Sequence, residues 1–211
     1  MKLLFSIALV LSCCFSSIAQ TKIAIKAGFN YSTARAYFND VKQSTGFVPG
    51  ANLAIQLKTE FDGPLHFSPY IAYSNRGYVI KSKNATGDKT RNSIHYIDVA
   101  PVLSLDFVTG SNKSFVIGFG PLAGLAIAGT EKTTIAGVTT SQKMRFTTSK
   151  DYGLFDLGLH TSLGYHFNKL FVEVAYQYGF ASINNNEEID KRNIRNRTFS
   201  LNIGYFIRSF N

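Results

Sequence analysis

Ser93 and His95 lie two residues apart, and Asp156 and His160 lie four apart. These are residue types for acyl transfer: a hydroxyl nucleophile, an imidazole base and a carboxylate to orient the base. Spacing argues against the second pair, because four residues on a strand separate two side chains by about 13 Å. Ser93 and His95 resemble part of a lipid esterase set in a barrel wall, but two residues beside a loop are thin ground for catalysis. Gly118-Phe-Gly120 with Gly124 has GxGxxxG spacing and no helix pattern after it, so packing is favoured over phosphate binding. His66 and His166 fall near strand ends, where hydrogen bonding is the expected role. No cluster has metal-ligand spacing. No catalytic residue, metal or cofactor is expected, and the chain reads as a protein other than an enzyme.

The elements that carry these residues alternate with period two. Segments rich in Val, Ile, Phe, Tyr and Leu predict strands at 22–31, 47–59, 65–81, 92–107, 114–129, 152–167, 170–182 and 197–208. Their connections alternate long and short, with tight turns at 60–64, 108–113 and 168–169 and long loops elsewhere. An even strand count with long loops at one end and short turns at the other marks an outer-membrane barrel. The expected fold is all-β: an eight-stranded antiparallel up-and-down transmembrane β-barrel, with both termini at the short-turn end. Pro49, Pro69, Pro101 and Pro121 each lack a ladder donor and mark expected bulges or strand ends.

Parity assigns the faces. One face is apolar, as in Ile23, Ile25, Ala27, Phe29 and Tyr31 of the first segment, and no charge interrupts it away from the rims. The other face carries Lys26, Lys58, Arg76 and Arg208 with Asp98, Asp106, Asp156 and Glu173. Apolar outside and polar inside reverses the pattern of a soluble ligand-carrying barrel. Eight strands leave an interior just wide enough for side chains to fill. Four cations and four anions there predict a buried ion-pair network plugging the lumen, with inward glycines making room for it.

Residues 1–19 read as a secretory signal peptide, with Lys2, an apolar run from Leu3 to Leu11, and Ser17-Ile18-Ala19 before the cut. Residues 20–211 form the barrel domain. Both cysteines, Cys13 and Cys14, leave with the leader, which removes disulfide and thiolate chemistry. A formal charge of +9 becomes +8 once Lys2 is gone.

Four blocks carry a family resemblance: Lys26-Ala-Gly-Phe-Asn30; Tyr96-Ile-Asp-Val-Ala-Pro-Val-Leu103; 155–165 together with Val174-Ala-Tyr-Gln-Tyr-Gly179; and 196–205. Across nearly the whole mature chain it resembles the PorT-like outer-membrane β-barrel proteins. That resemblance implies an eight-stranded barrel in the outer membrane of a Gram-negative envelope and, for some members, a link to protein secretion. It supplies no agreed catalytic residues. Such barrels usually end on an aromatic that the barrel-insertion machinery reads; here Phe210 is penultimate and Asn211 last.

The charge surplus sits in the long loops, where fourteen Lys and Arg face seven Asp and Glu. This excludes nucleic acid as the natural partner and points to lipopolysaccharide phosphates at the cell surface. The expected function is structural or interactive: envelope anchoring, contact with outer-membrane lipid and lipopolysaccharide or with an envelope protein partner, and assistance to secretion. A barrel-embedded hydrolase and a narrow channel are the competing readings.

Overall fold

A sheet that is apolar on one face and polar on the other leaves two edges with unpaired amides, and closing the sheet removes both. The computed structural model of the chain describes residues 21–82, 87–147, 152–184 and 191–209, without the side chains of 208 and 209. The expected leader and the terminal Phe210-Asn211 therefore lie outside the described residues.

Eight wall strands follow one another: β1 (Lys22–Phe38), β2 (Ser44–Asp62), β3 (Leu65–Phe67 continuing as Tyr70–Lys81), β4 (Lys89–Ala100 continuing as Leu103–Gly110), β5 (Lys113–Ile135), β6 (Phe155–Phe167), β7 (Leu170–Gly179) and β8 (Arg192–Ser209). Each is antiparallel to the next. β1 pairs with β8 from Lys22↔Ser209 to Phe38↔Arg192, which closes the barrel.

The faces follow the parity. Phe29 is 77% exposed and Ile203 62%, whereas Arg76 and Asp98 on the inner face are 1% and 0% exposed. A water-soluble fold reverses these values, because burying apolar area is its main driving term.

Most expected strand boundaries at the long-loop end need correction: β2 and β4 start three residues early, at Ser44 and Lys89, β7 ends three early, at Gly179, and four others follow. β1 runs seven residues past Tyr31 to Phe38, turns at Asn39-Asp40, and pairs back with Val41–Lys42. β5 runs past Gly129 to Ile135, turns at Ala136-Gly137, and pairs with Val138–Lys143. Both turns hold two successive residues at positive φ, 45° and 63° in the first and 48° and 83° in the second. That geometry matches the right-handed twist of the flanking strands. β8 starts at Arg192, ahead of the expected 197, while β6 begins only at Phe155 because Tyr152–Gly153 pairs in parallel with Phe146–Thr147. Backbone pairing thus continues beyond the apolar belt, where Thr, Lys and Asn carry no hydrophobic alternation.

Pro69 and Pro101 fall in the gaps of β3 and β4, and Pro49 lies within the register shift between Phe47 and Asn52. Pro121 differs from expectation, since β5 passes through it unbroken. It stands where β4 supplies no ladder partner, between Leu103↔Phe119 and Val99↔Ala123, so its missing amide leaves no strand carbonyl waiting.

Candidate functional site

Three charged levels are stacked inside the wall. Nearest the short turns, Lys58 of β2 binds Asp106 of β4, with the His166 Nδ1 3.4 Å from Lys58 Nζ. His166 itself packs against the rings of Phe171 and Phe206. His66 lies at the same end, its Nδ1 3.1 Å from the Pro64 carbonyl and 3.7 Å from Asp106 Oδ1. Here a cavity of about 760 Å³ opens to the short-turn side.

At the next level Lys26 of β1 donates to Glu173 of β7 at 2.8 Å, and Asn202 Nδ2 adds a second bond to the same carboxylate oxygen. Lys26 Nζ also stands 4.4 Å over the ring of Tyr70. The Tyr70 hydroxyl meets His160 Nδ1 at 3.1 Å. His160 therefore bonds a buried tyrosine, and β6 pairs it with Gln177, not with Asp156.

Above that, Arg76 of β3 reaches two carboxylates: Asp98 at 2.7 Å and Asp156 at 3.6 Å. Its guanidinium lies 4.1 Å over the ring of Tyr96 and donates to Gln177 Oε1 at 2.8 Å. Gln177 Nε2 turns back to the Tyr70 hydroxyl at 3.4 Å, tying this level to the one below. Asn196 of β8 donates to both Asp156 Oδ2 and Tyr96 Oη. Two voids of about 20 Å³ each, on the order of one water, lie between the first and second levels and between the second and third.

Seven of the eight Lys, Arg, Asp and Glu residues expected on the inner face thus find an oppositely charged partner: Lys26, Lys58, Arg76, Asp98, Asp106, Asp156 and Glu173. Arg208 is not among them. Its side chain lies outside the described residues, and its backbone pairs with Ile23 beyond a register shift. Tyr70, Tyr96 and Asn196 complete the network and are passed over by a count of charges. Their inward parity was the available signal.

The inward glycines serve two purposes. A Cβ on Gly124 would come within 2.7 Å of Asp98 Oδ1 and 2.8 Å of Arg76 Nη2, so this glycine gives the ion pair its space. At Gly50 and Gly158, by contrast, the obstruction is a backbone carbonyl of the neighbouring strand, which ties those positions to strand packing rather than to lumen contents. Gly118, Gly120 and Gly124 accordingly meet Ser162, Pro101-Val102 and the Asp98–Arg76 pair.

At the long-loop end the lumen turns apolar. Tyr78, Ile94, Ala126 and Ile194 of the wall pack with Met144 and Ile183, which enter from the β5–β6 and β7–β8 connections. The amides of Met144 and Ile183 are fixed to the carbonyls of Gly129 and Ile194 at 3.0 and 2.8 Å. Outside the wall, Ser93 and His95 share a face with Asn75, whose amide meets Ser93 Oγ at 3.2 Å and His95 Nδ1 at 3.2 Å. The Tyr73 hydroxyl also meets His95 Nδ1, at 2.5 Å. Serine and histidine are each joined to Asn75 and not to one another.

A family model described as outer membrane protein beta-barrel domain matches residues 18–185, which takes in β1 to β7. No curated protein matches the sequence. Solved structures similar to the chain include Neisserial surface protein A (16% identity, 88% of this chain and 97% of that one, TM-score 0.44). Others are the attachment invasion locus protein Ail of Yersinia pestis in complex with sucrose octasulfate (15%, 88% and 98%, 0.45) and the outer membrane protein OprG of Pseudomonas aeruginosa (13%, 89% and 95%, 0.47).

Proposed function

The chain belongs to the outer membrane protein beta-barrel domain family and lies in the outer membrane, and we propose that it works there as a closed, non-conducting anchor whose cell-surface rim contacts lipopolysaccharide. The sealed lumen carries this reading. Among the described residues, two charged levels with voids of about 20 Å³ and an apolar layer above them support a lumen too full for a hydrated ion. The rim supports the partner: β1, β4, β5 and β8 rise beyond the apolar belt and bear Arg35, Lys89, Lys132 and Arg195, opposite in charge to lipopolysaccharide phosphates.

The role is non-catalytic in this reading, since Ser93 and His95 lack the mutual contact that activates a nucleophile. Planar-bilayer recordings of the purified protein test the anchor: no discrete conductance steps are expected, and reproducible unitary steps would overturn it. Lipid composition should be the same in cells with the native protein and with Ser93→Ala/His95→Ala.

A further inference from the structure

On the outer wall, the strands that close the barrel set cations directly against cations. Arg35 of β1 is the ladder partner of Arg195 of β8, and Arg197 lies two residues below on β8, paired with Thr33 and Tyr178. Like charges placed opposite one another in a sheet repel. Among the described residues none of the three pairs with a carboxylate. Their contacts are neutral: Arg35 bonds the Tyr37 hydroxyl, Arg195 Nε donates to Asn193 Oδ1 at 3.1 Å, and Arg197 stands 5.3 Å over the Tyr178 ring. The same arrangement recurs across the barrel, where Lys81 opposes Lys89 and Arg91 opposes Lys132. Such a repeated arrangement is complementary in charge to an anion.

Position favours a membrane lipid as the source of that anion. Immediately below the arginines lies a band of outward rings, with Tyr31 stacked on Phe47 at 4.4 Å and Phe199 against Tyr176 at 4.6 Å. Aromatic rings gather where hydrocarbon gives way to headgroups. A group bound one step above them belongs to a membrane lipid. Guanidinium matches phosphate through paired N–H donors, and tyrosine faces hold it rigid for that task.

We propose that Arg35, Arg195 and Arg197 form a binding site for the phosphate of a phosphorylated outer-leaflet glycolipid, seated against the outer wall over β1, β8 and β7. This rests on the lipopolysaccharide reading above and adds the place and the chemistry.

The test uses the full chain in detergent micelles with two probes, diphosphorylated lipid A and the same lipid stripped of phosphate. Lipid retention is read by native mass spectrometry, and folded protein is confirmed by heat-modifiable migration. The native chain is expected to hold the phosphorylated lipid at least about tenfold more tightly, a ratio set by charge-assisted hydrogen bonds. Arg35→Gln/Arg195→Gln/Arg197→Gln should lose that preference, the triple Lys variant should keep part of it, and Lys113→Gln/Lys169→Gln at the opposite end should keep all of it. If the triple Gln variant does not fold, the single variant Arg197→Gln, expected to lose part of the preference, decides. A Gln variant that binds like the native chain overturns the site, as does displacement of the lipid by millimolar inorganic phosphate. A native chain that binds neither lipid overturns the lipopolysaccharide reading itself, so the two failures are distinct.

Discussion

Lys26 and Glu173 meet across a strand that belongs to neither. Lys26 is on β1 and Glu173 on β7, and β8 runs between them with Gly204 and Asn202 as their respective ladder partners. The 2.8 Å ion pair therefore bridges the closing strand and ties its two neighbours together beneath it.

This bridge predicts a non-additive pair. Removing one partner leaves a buried charge uncompensated, at a cost of about 3–5 kcal/mol, whereas replacing both by apolar side chains is far milder. Lys26→Met and Glu173→Met should each lower the urea midpoint of refolding in micelles. Lys26→Met/Glu173→Met should recover most of the loss. Additive losses in the double variant would contradict the bridge.

Gly124→Ala forces a methyl group against the Arg76–Asp98 pair, within 2.7 Å of the carboxylate. Overpacking of this kind costs about 1–3 kcal/mol. Gly164→Ala, whose nearest neighbour is the Val172 carbonyl at 3.3 Å, serves as comparison and should cost less. Equal unfolding midpoints for the two variants would argue against a steric role for Gly124.

The outward face should penalise charge by depth. Leu163 is mid-strand on β6 and 53% exposed, so Leu163→Arg is expected to cost about 2–4 kcal/mol in a bilayer. Ile207→Arg, close to the short-turn rim, should cost about 0–1 kcal/mol. Refolding equilibria in lipid vesicles measure both, and a flat response would remove the membrane from this face.

Ile183 holds the β7–β8 connection inside the barrel mouth. Ile183→Asp should release that connection while the wall strands stay paired. Limited proteolysis of the folded protein is expected to cut between 180 and 195 faster than in the native chain, with heat-modifiable migration unchanged. An unchanged cleavage rate would place the restraint elsewhere.

The wall was legible because period two is imposed by the chain itself. Parity alone sets Lys26, Arg76 and Asp156 inside and Phe29 and Leu163 outside, and the Asn168-Lys169 turn fixes His160 opposite Gln177 and Glu173 opposite Gly164. Met144 and Ile183 carry no such signal. They sit in connections without periodicity, and only the completed barrel provides the apolar mouth that receives them. The extended ribbons were hidden for the opposite reason: past the belt, strand pairing persists on backbone hydrogen bonds while the side chains turn to Thr, Lys and Arg.

Among the described residues the longest ladder joins β1 to β8. With Lys22 and Ser209 as direct partners, the two ends of the described chain stand about 5 Å apart, the spacing of neighbouring strands. In hydrogen-bonding terms the described barrel is a ring, while its covalent path is open at a cut between β8 and β1. A short linker could heal that cut, and a new one at Asn168-Lys169 would give a circular permutant with every barrel pairing preserved. The order of the strands along the chain and their order around the wall are thus separable at this seam.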